Sequence, residues 1–218
     1  MEEKKTRFDF QARYFTAGSL TPATRQVWIV LHGYGQLAQY FLRKFEPLLE
    51  QQVYFIAPEG LSRFYLSELT STGRPDNKVG ATWMTRENRL MDIENYITYL
   101  DAIYANELSN FKDIPVTLFG FSQGCATVCR WALDGHPAFN RLILWAGLFP
   151  PDMDFKKGHD LFVNKETYMV IGEQDPFLSA ERMEEFDGLA AKLDIQPVKM
   201  TFPGKHELNL PLLQQFTG

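Results

Sequence analysis

Gly120-Phe121-Ser122-Gln123-Gly124 sets a serine between two glycines at the point where the hydrophobic period of the chain changes. Upstream, Val116–Phe119 is a short β-rich run; downstream, Cys125–Leu133 carries small and apolar residues with helical character. The spacing matches G-x-S-x-G, in which a sharp strand-to-helix turn exposes a nucleophilic hydroxyl. The same turn aims a helix N-terminus at the charge that develops on a carbonyl oxygen. Taken alone, the pentapeptide is equally a glycine-rich turn with a serine N-cap. A serine nucleophile needs a base within hydrogen-bond reach and a carboxylate to orient that base.

In an open α/β sheet both partners belong at the carboxyl ends of strands. Asp175 follows the run Tyr168–Ile171, and His206 follows Val198–Phe202. The chain order Ser122, Asp175, His206 is the one expected of an α/β-hydrolase. His136 sits in a Gly-His-Pro turn and His159 in a polar loop; neither follows a core strand, and both read as surface residues. Asp152, Asp154 and Glu173 compete with Asp175, which reads better because it lies farther into its loop, ahead of Pro176. A second candidate loop, His32-Gly33-Tyr34-Gly35, follows the apolar run Val27–Leu31. Its glycines allow a sharp turn that leaves an amide such as that of Tyr34 free to donate a hydrogen bond. His32 reads as a brace for this loop rather than as a base.

These residues need a scaffold, and 218 residues suffice for one domain, 1–218, with a sizeable core. Strands are predicted at Arg7–Phe15, on a sheet edge, and at Val27–Leu31, Val53–Ala57, Val116–Phe119, Arg141–Ala146, Tyr168–Ile171 and Val198–Phe202. Helices are predicted from Leu37 to Leu48, kinked or split at Pro47, and at Leu90–Tyr104, Glu181–Leu193 and Glu207–Phe216. Such alternation implies an α/β fold of three layers, a mostly parallel sheet of about seven strands with helices on both faces. Leu61–Glu87 holds no period and reads as a long loop and candidate lid, with Phe64, Tyr65, Leu66, Trp83 and Met84 available to line an apolar pocket. Phe149, Phe177, Leu178 and Leu208 lie near the candidate catalytic loops and are further pocket candidates.

A net charge of −5 without a basic patch argues against nucleic acid as a partner. No stretch approaches the roughly 18 apolar residues of a membrane span, and the first residues lack the apolar core of a secretory signal, so a cytoplasmic protein is expected. Cys125 and Cys129, four apart on one helix, read as packed thiols. No ligand spacing calls for a metal, and no organic cofactor is implied.

Together the His32-Gly33-Tyr34-Gly35 loop, the Gly-Phe-Ser-Gln-Gly pentapeptide, Asp175 and His206 resemble the phospholipase/carboxylesterase family of α/β-hydrolases, which includes the acyl-protein thioesterases. The resemblance implies no large cap domain and an oxyanion hole made by the amides of Tyr34 and Gln123. It also implies hydrolysis of a carboxylic ester or thioester, a small-molecule or acyl-chain substrate, through an acyl-enzyme. The chain departs from the pattern at Cys125, where a second glycine is common, and at Trp83-Met84-Thr85, where Trp-Phe-Asp is common. These departures bear on acyl preference more than on mechanism, and oligomeric state is left open. The alternatives are a hydrolase-fold binding protein without catalysis, or an acyltransferase or peptidase using the same residues.

Overall fold

Val-Trp-Ile-Val-Leu at residues 27–31 and Leu-Ile-Leu-Trp at 142–145 carry no polar side chain that prefers water except the indole N–H, so strands built from them must be covered on both faces. A computed structural model, which describes residues 1–66 and 78–217, places both inside a seven-stranded sheet. Its strands are β1 (Tyr14–Ala17), β2 (Gln26–Leu31), β3 (Val53–Pro58), β6 (Val116–Phe121), β7 (Arg141–Trp145), β8 (Glu166–Gly172) and β9 (Val198–Phe202). A separate two-stranded hairpin consists of β4 (Ser62–Tyr65) and β5 (Val79–Thr82). The helices are α1 (Ala38–Leu42), α2 (Arg89–Leu108), α3 (Gln123–Asp134), α4 (Phe155–Phe162), α5 (Ala180–Lys192) and α6 (Leu210–Gln214).

The sheet order is β1-β3-β2-β6-β7-β8-β9, antiparallel only where β1 meets β3. Alternate side chains of each strand enter different cores. Ile29, Leu31, Leu118, Leu144 and Ile171 pack with Tyr96 and Leu100 of α2, Val128 of α3 and Phe186 of α5. Trp28, Val30, Phe119, Trp145 and Val170 pack on the other face with Phe41 of α1 and Leu213 of α6. This is the three-layer α/β-hydrolase arrangement. Between β7 and β8 the chain adds only the eight-residue α4, so no large cap stands there.

Several boundaries differ from expectation. The edge strand starts at Tyr14, because Arg7–Arg13 finds no partner strand among the described residues and stays largely exposed. Pro47 splits the helix from Leu37 as expected: α1 passes into a 3-10 helix, Arg43–Gln51, whose i,i+3 pattern accommodates the missing amide donor. The stretch from Leu61 to Glu87 is not all loop, since β4 and β5 pair within it; its remaining part, 67–77, including Gly73, Pro75 and Asn77, lies outside the described residues. Helix α4 falls in a span read as irregular, where Gly158 interrupts the helical signal.

One ion network fastens α2 and α3 to the loop after β7. Asp152 accepts from Arg130 and from Arg89, each at 2.7 Å, and the Arg130 side chain is only 9% exposed. Burial by itself would raise the Asp152 carboxyl, but the two guanidinium groups outweigh it and hold the group below the usual carboxylate range. A depressed carboxylate contributes stability above its unfolded pKa, and that contribution fades as pH falls through the folded value. Asp152→Asn is therefore expected to cost about 2 kcal/mol of unfolding free energy at neutral pH. The difference from wild type should close below about pH 4; an equal difference at pH 7 and in acid, measured by denaturant titration, would contradict the assignment.

Candidate active site

β6 is the fourth of the seven strands, and it ends directly in Ser122. There the backbone has φ 54° and ψ −115°, a region that a residue with a Cβ rarely adopts and that costs on the order of 1–3 kcal/mol. The crowding explains the flanking glycines. A Cβ on Gly120 would stand 2.6 Å from Cys125 Cα, and one on Gly124 would stand 2.9 Å from the His32 carbonyl oxygen and closer still to that of Leu31. The Ser122 amide donates to the Trp145 carbonyl at 2.9 Å, and its carbonyl accepts from the Cys125 amide at 3.0 Å, which locks the turn.

Cys125 and Cys129 are fully buried beneath this turn, and burial pushes both thiols well above their ordinary range. Cys125 Sγ lies 3.1 Å from the Gly120 carbonyl oxygen. Both are expected to resist a disulfide-exchange reagent such as DTNB at pH 8 in the native protein and to react once guanidinium unfolds it. Rapid native-state reaction of either would contradict the packing.

The structure brings Asp175 and His206 together. The Asp175 side chain is fully buried; Oδ2 accepts from His206 Nδ1 at 2.7 Å, and Oδ1 accepts from the Phe177 amide at 2.9 Å. Because a carboxylate can only accept, Nδ1 carries a proton, so that in the neutral ring Nε2 is the nitrogen with the lone pair. Two loops at neighbouring strand ends hold the pair: the Gln174 amide donates to the Gly204 carbonyl at 2.9 Å, and Trp145 Nε1 donates to the Glu207 carbonyl at 2.8 Å. The His206 ring lies 5.0 Å from that of Phe121, the residue before the serine, and 4.8 Å edge-on from Phe177. Among the described residues the Ser122 hydroxyl itself makes no hydrogen bond, to His206 or elsewhere.

The competing carboxylates and histidines have other partners. Asp152 holds the two arginines, Asp154 caps α4 by accepting from the Lys157 amide, and Glu173 accepts from Thr201. His136 pairs with Asp101, and His159 Nδ1 contacts the Leu193 carbonyl. His32 is buried with both ring nitrogens committed: Nε2 accepts from the Gly60 amide at 3.0 Å, so Nδ1 must donate to the Gly33 carbonyl at 2.8 Å. Burial lowers its pKa, and the neutral ring braces the loop that follows β2.

The amides of Tyr34 and Gln123 have no partner among the described residues, as donors waiting for an anion would require. The pocket candidates divide. Trp83 and Phe149 are 2% and 1% exposed and belong to the core, Trp83 donating to the His32 carbonyl at 2.8 Å and Phe149 stacked on Phe186. Phe177 is 66% exposed, while Leu178 and Leu208 are partly buried. The sequence reading missed Gln36, whose side chain accepts from the Gly33 amide, and Thr82, bonded to the Gln123 side chain; no local pattern marks either. Among the described residues no cluster of three or more His, Cys, Asp or Glu side chains could hold a metal ion, and no helix is long and apolar enough to cross a membrane.

A family model described as serine hydrolase (FSH1) matches residues 24–217. Among solved structures, similarity extends to esterase PE8, with TM-score 0.66 and 18% identity over 95% of this chain and 97% of that one. It extends also to Zea mays acyl-protein thioesterase 2, with TM-score 0.69 and 14% identity over 95% and 96%. A carboxylesterase from Mesorhizobium loti gives TM-score 0.65 and 17% identity over 88% of each chain. No curated protein sequence matches. At such identities the structural likeness speaks for the fold.

Proposed function

The chain belongs to the serine hydrolase family described by that model, and from this premise we propose that it cleaves carboxylic ester or thioester bonds through Ser122, His206 and Asp175. The observation that carries the reading is the buried Asp175 carboxylate hydrogen-bonded to His206 Nδ1, with the His206 ring 5.0 Å from that of Phe121, the residue before a serine held in strained geometry at the end of the middle strand. Ser122 Oγ attacks the acyl carbonyl carbon as its proton passes to His206 Nε2. The tetrahedral oxyanion accepts hydrogen bonds from the Tyr34 and Gln123 amides. Collapse breaks the bond to the leaving oxygen or sulfur, which takes the proton from His206. Water then attacks the acyl-enzyme, gives its proton to His206, and the free acid departs as the proton returns to Ser122. Asp175 stabilises the imidazolium each time it forms.

Phe177, exposed and edge-on to His206, supplies apolar contact for the acyl or leaving group, together with the partly buried Leu178 and Leu208. Trp83 and Phe149, turned into the core, support the site from within. The reading is tested by offering one acyl group as a p-nitrophenyl ester, a thioester and an amide. Release of free acid from the first two, with the amide far slower, is expected. Failure to release acid from either, or transfer of the acyl group to an added alcohol in place of hydrolysis, would contradict it.

A further inference from the structure

The hairpin strand β5 and the two residues after it touch both the loop after β2, which carries the Tyr34 amide, and Gln123, the first residue of α3. Beside the sheet these loops leave adjacent strands, with Leu31 of β2 opposite Gly120 of β6. Beyond the carboxyl ends of these central strands they meet residues 81–84. On one side, the Gly35 amide donates to the Ala81 carbonyl at 2.9 Å and the Ala81 amide donates to the Gln36 carbonyl at 3.0 Å, an antiparallel bridge. Gly80 packs so closely that a Cβ there would stand 2.6 Å from Gly35 Cα. On the other side, the Gln123 carboxamide is fully used. Its Nε2 donates to Thr82 Oγ1 at 2.9 Å and to the Met84 carbonyl at 3.0 Å, and its Oε1 accepts from the Trp83 amide at 3.2 Å. The hydroxyl of Thr82, a residue only 3% exposed, donates a hydrogen bond to the Met84 carbonyl at 2.9 Å.

We propose that residues 81–84 form a strut that fixes the separation of the Tyr34 and Gln123 amides, with Thr82 and the Gln123 side chain as its positioning groups. The inference rests on the reading of those amides as the oxyanion hole. Donors of this kind act by standing 2.7–3.1 Å from where the oxyanion forms, so roughly an ångström of freedom removes much of their effect. Among the described residues neither amide is held by a hydrogen bond of its own; their geometry is set through neighbours, and residues 81–84 contact both the loop after β2 and the start of α3.

Thr82→Val removes the hydroxyl and keeps the shape. With p-nitrophenyl butyrate, kcat is expected to fall roughly tenfold, about the effect of one lost hydrogen bond expressed in the transition state, while KM moves less than about twofold. Affinity for a trifluoromethyl ketone, which adds to the serine as a tetrahedral oxyanion, should fall in parallel with kcat. Thr82→Ser should restore both. A purely structural hydroxyl would shift the melting temperature and leave the kcat-to-KM split and ketone affinity alone. Should Thr82→Val fail to fold, Gln123→Met, which keeps the length without adding charge and loses the bonds to Thr82, Trp83 and Met84, carries the same expectation. Wild-type kcat in the folded Thr82→Val or Gln123→Met protein, with Ser122→Ala inactive, overturns the strut; an active Ser122→Ala overturns instead the reading beneath it.

Discussion

Ser122→Ala is expected to fold as the wild type does and to lose ester turnover by roughly 10⁴- to 10⁶-fold, the range over which triad serines act. The expectation combines two observations. The hydroxyl makes no hydrogen bond among the described residues, so its removal breaks none and the melting temperature should move by no more than a degree or two. The backbone at residue 122, with φ 54°, is as strained for alanine as for serine, so no relief offsets the change. A fold that maintains such strain at a solvent-reachable hydroxyl, when glycine would remove it, has a use for the side chain. Ser122→Gly should accordingly gain up to about 1 kcal/mol of stability while remaining inactive. Turnover of Ser122→Ala close to wild type would end the assignment of the nucleophile.

The second large effect belongs to the Asp175–His206 pair. Asp175→Asn is expected to lower kcat by about 10⁴-fold, because an amide can donate to Nδ1 and so favours the tautomer with hydrogen on Nε2, which cannot take the serine proton. His206→Ala should do comparable damage. The control is His32→Ala. With both ring nitrogens already bonded inside the core, His32 has no lone pair for the reaction, and its loss should appear first as instability, about 2–4 kcal/mol in denaturant unfolding. If His32→Ala were folded and as inactive as His206→Ala, the roles of the two histidines would have to be exchanged.

What could be read from the chain was what local pattern encodes. The apolar run at Val27–Leu31 read as a strand covered on both faces, which it is, and the glycines around Ser122 read as relieving a crowded turn, as their close contacts show. The meeting of Asp175 and His206 could be anticipated because each follows an apolar run, and those runs became the neighbouring strands β8 and β9. Sheet order was not legible, since β9 joins β8 through register and not through any residue pattern. Nor was the hairpin within 61–87: Ser62-Arg63-Phe64-Tyr65 is mostly exposed and Val79-Gly80-Ala81-Thr82 is built of small residues, so neither shows a strand's period. Its position is set by contacts to Gly35 and Gln123, some 40 residues away in sequence on either side. The same physics explains why Trp83 read as a pocket residue. Its indole N–H finds a buried acceptor, the His32 carbonyl, that only the folded chain supplies.

The most direct test is covalent. Folded wild-type protein treated with a fluorophosphonate at neutral pH should gain one adduct, mapped by peptide mass spectrometry to Ser122 and displaced fluoride accounting for the bond formed. The adduct should be absent from Ser122→Ala and form far more slowly in His206→Ala. No adduct under conditions that label a known serine hydrolase, or an adduct on any other residue, would contradict Ser122 as the nucleophile.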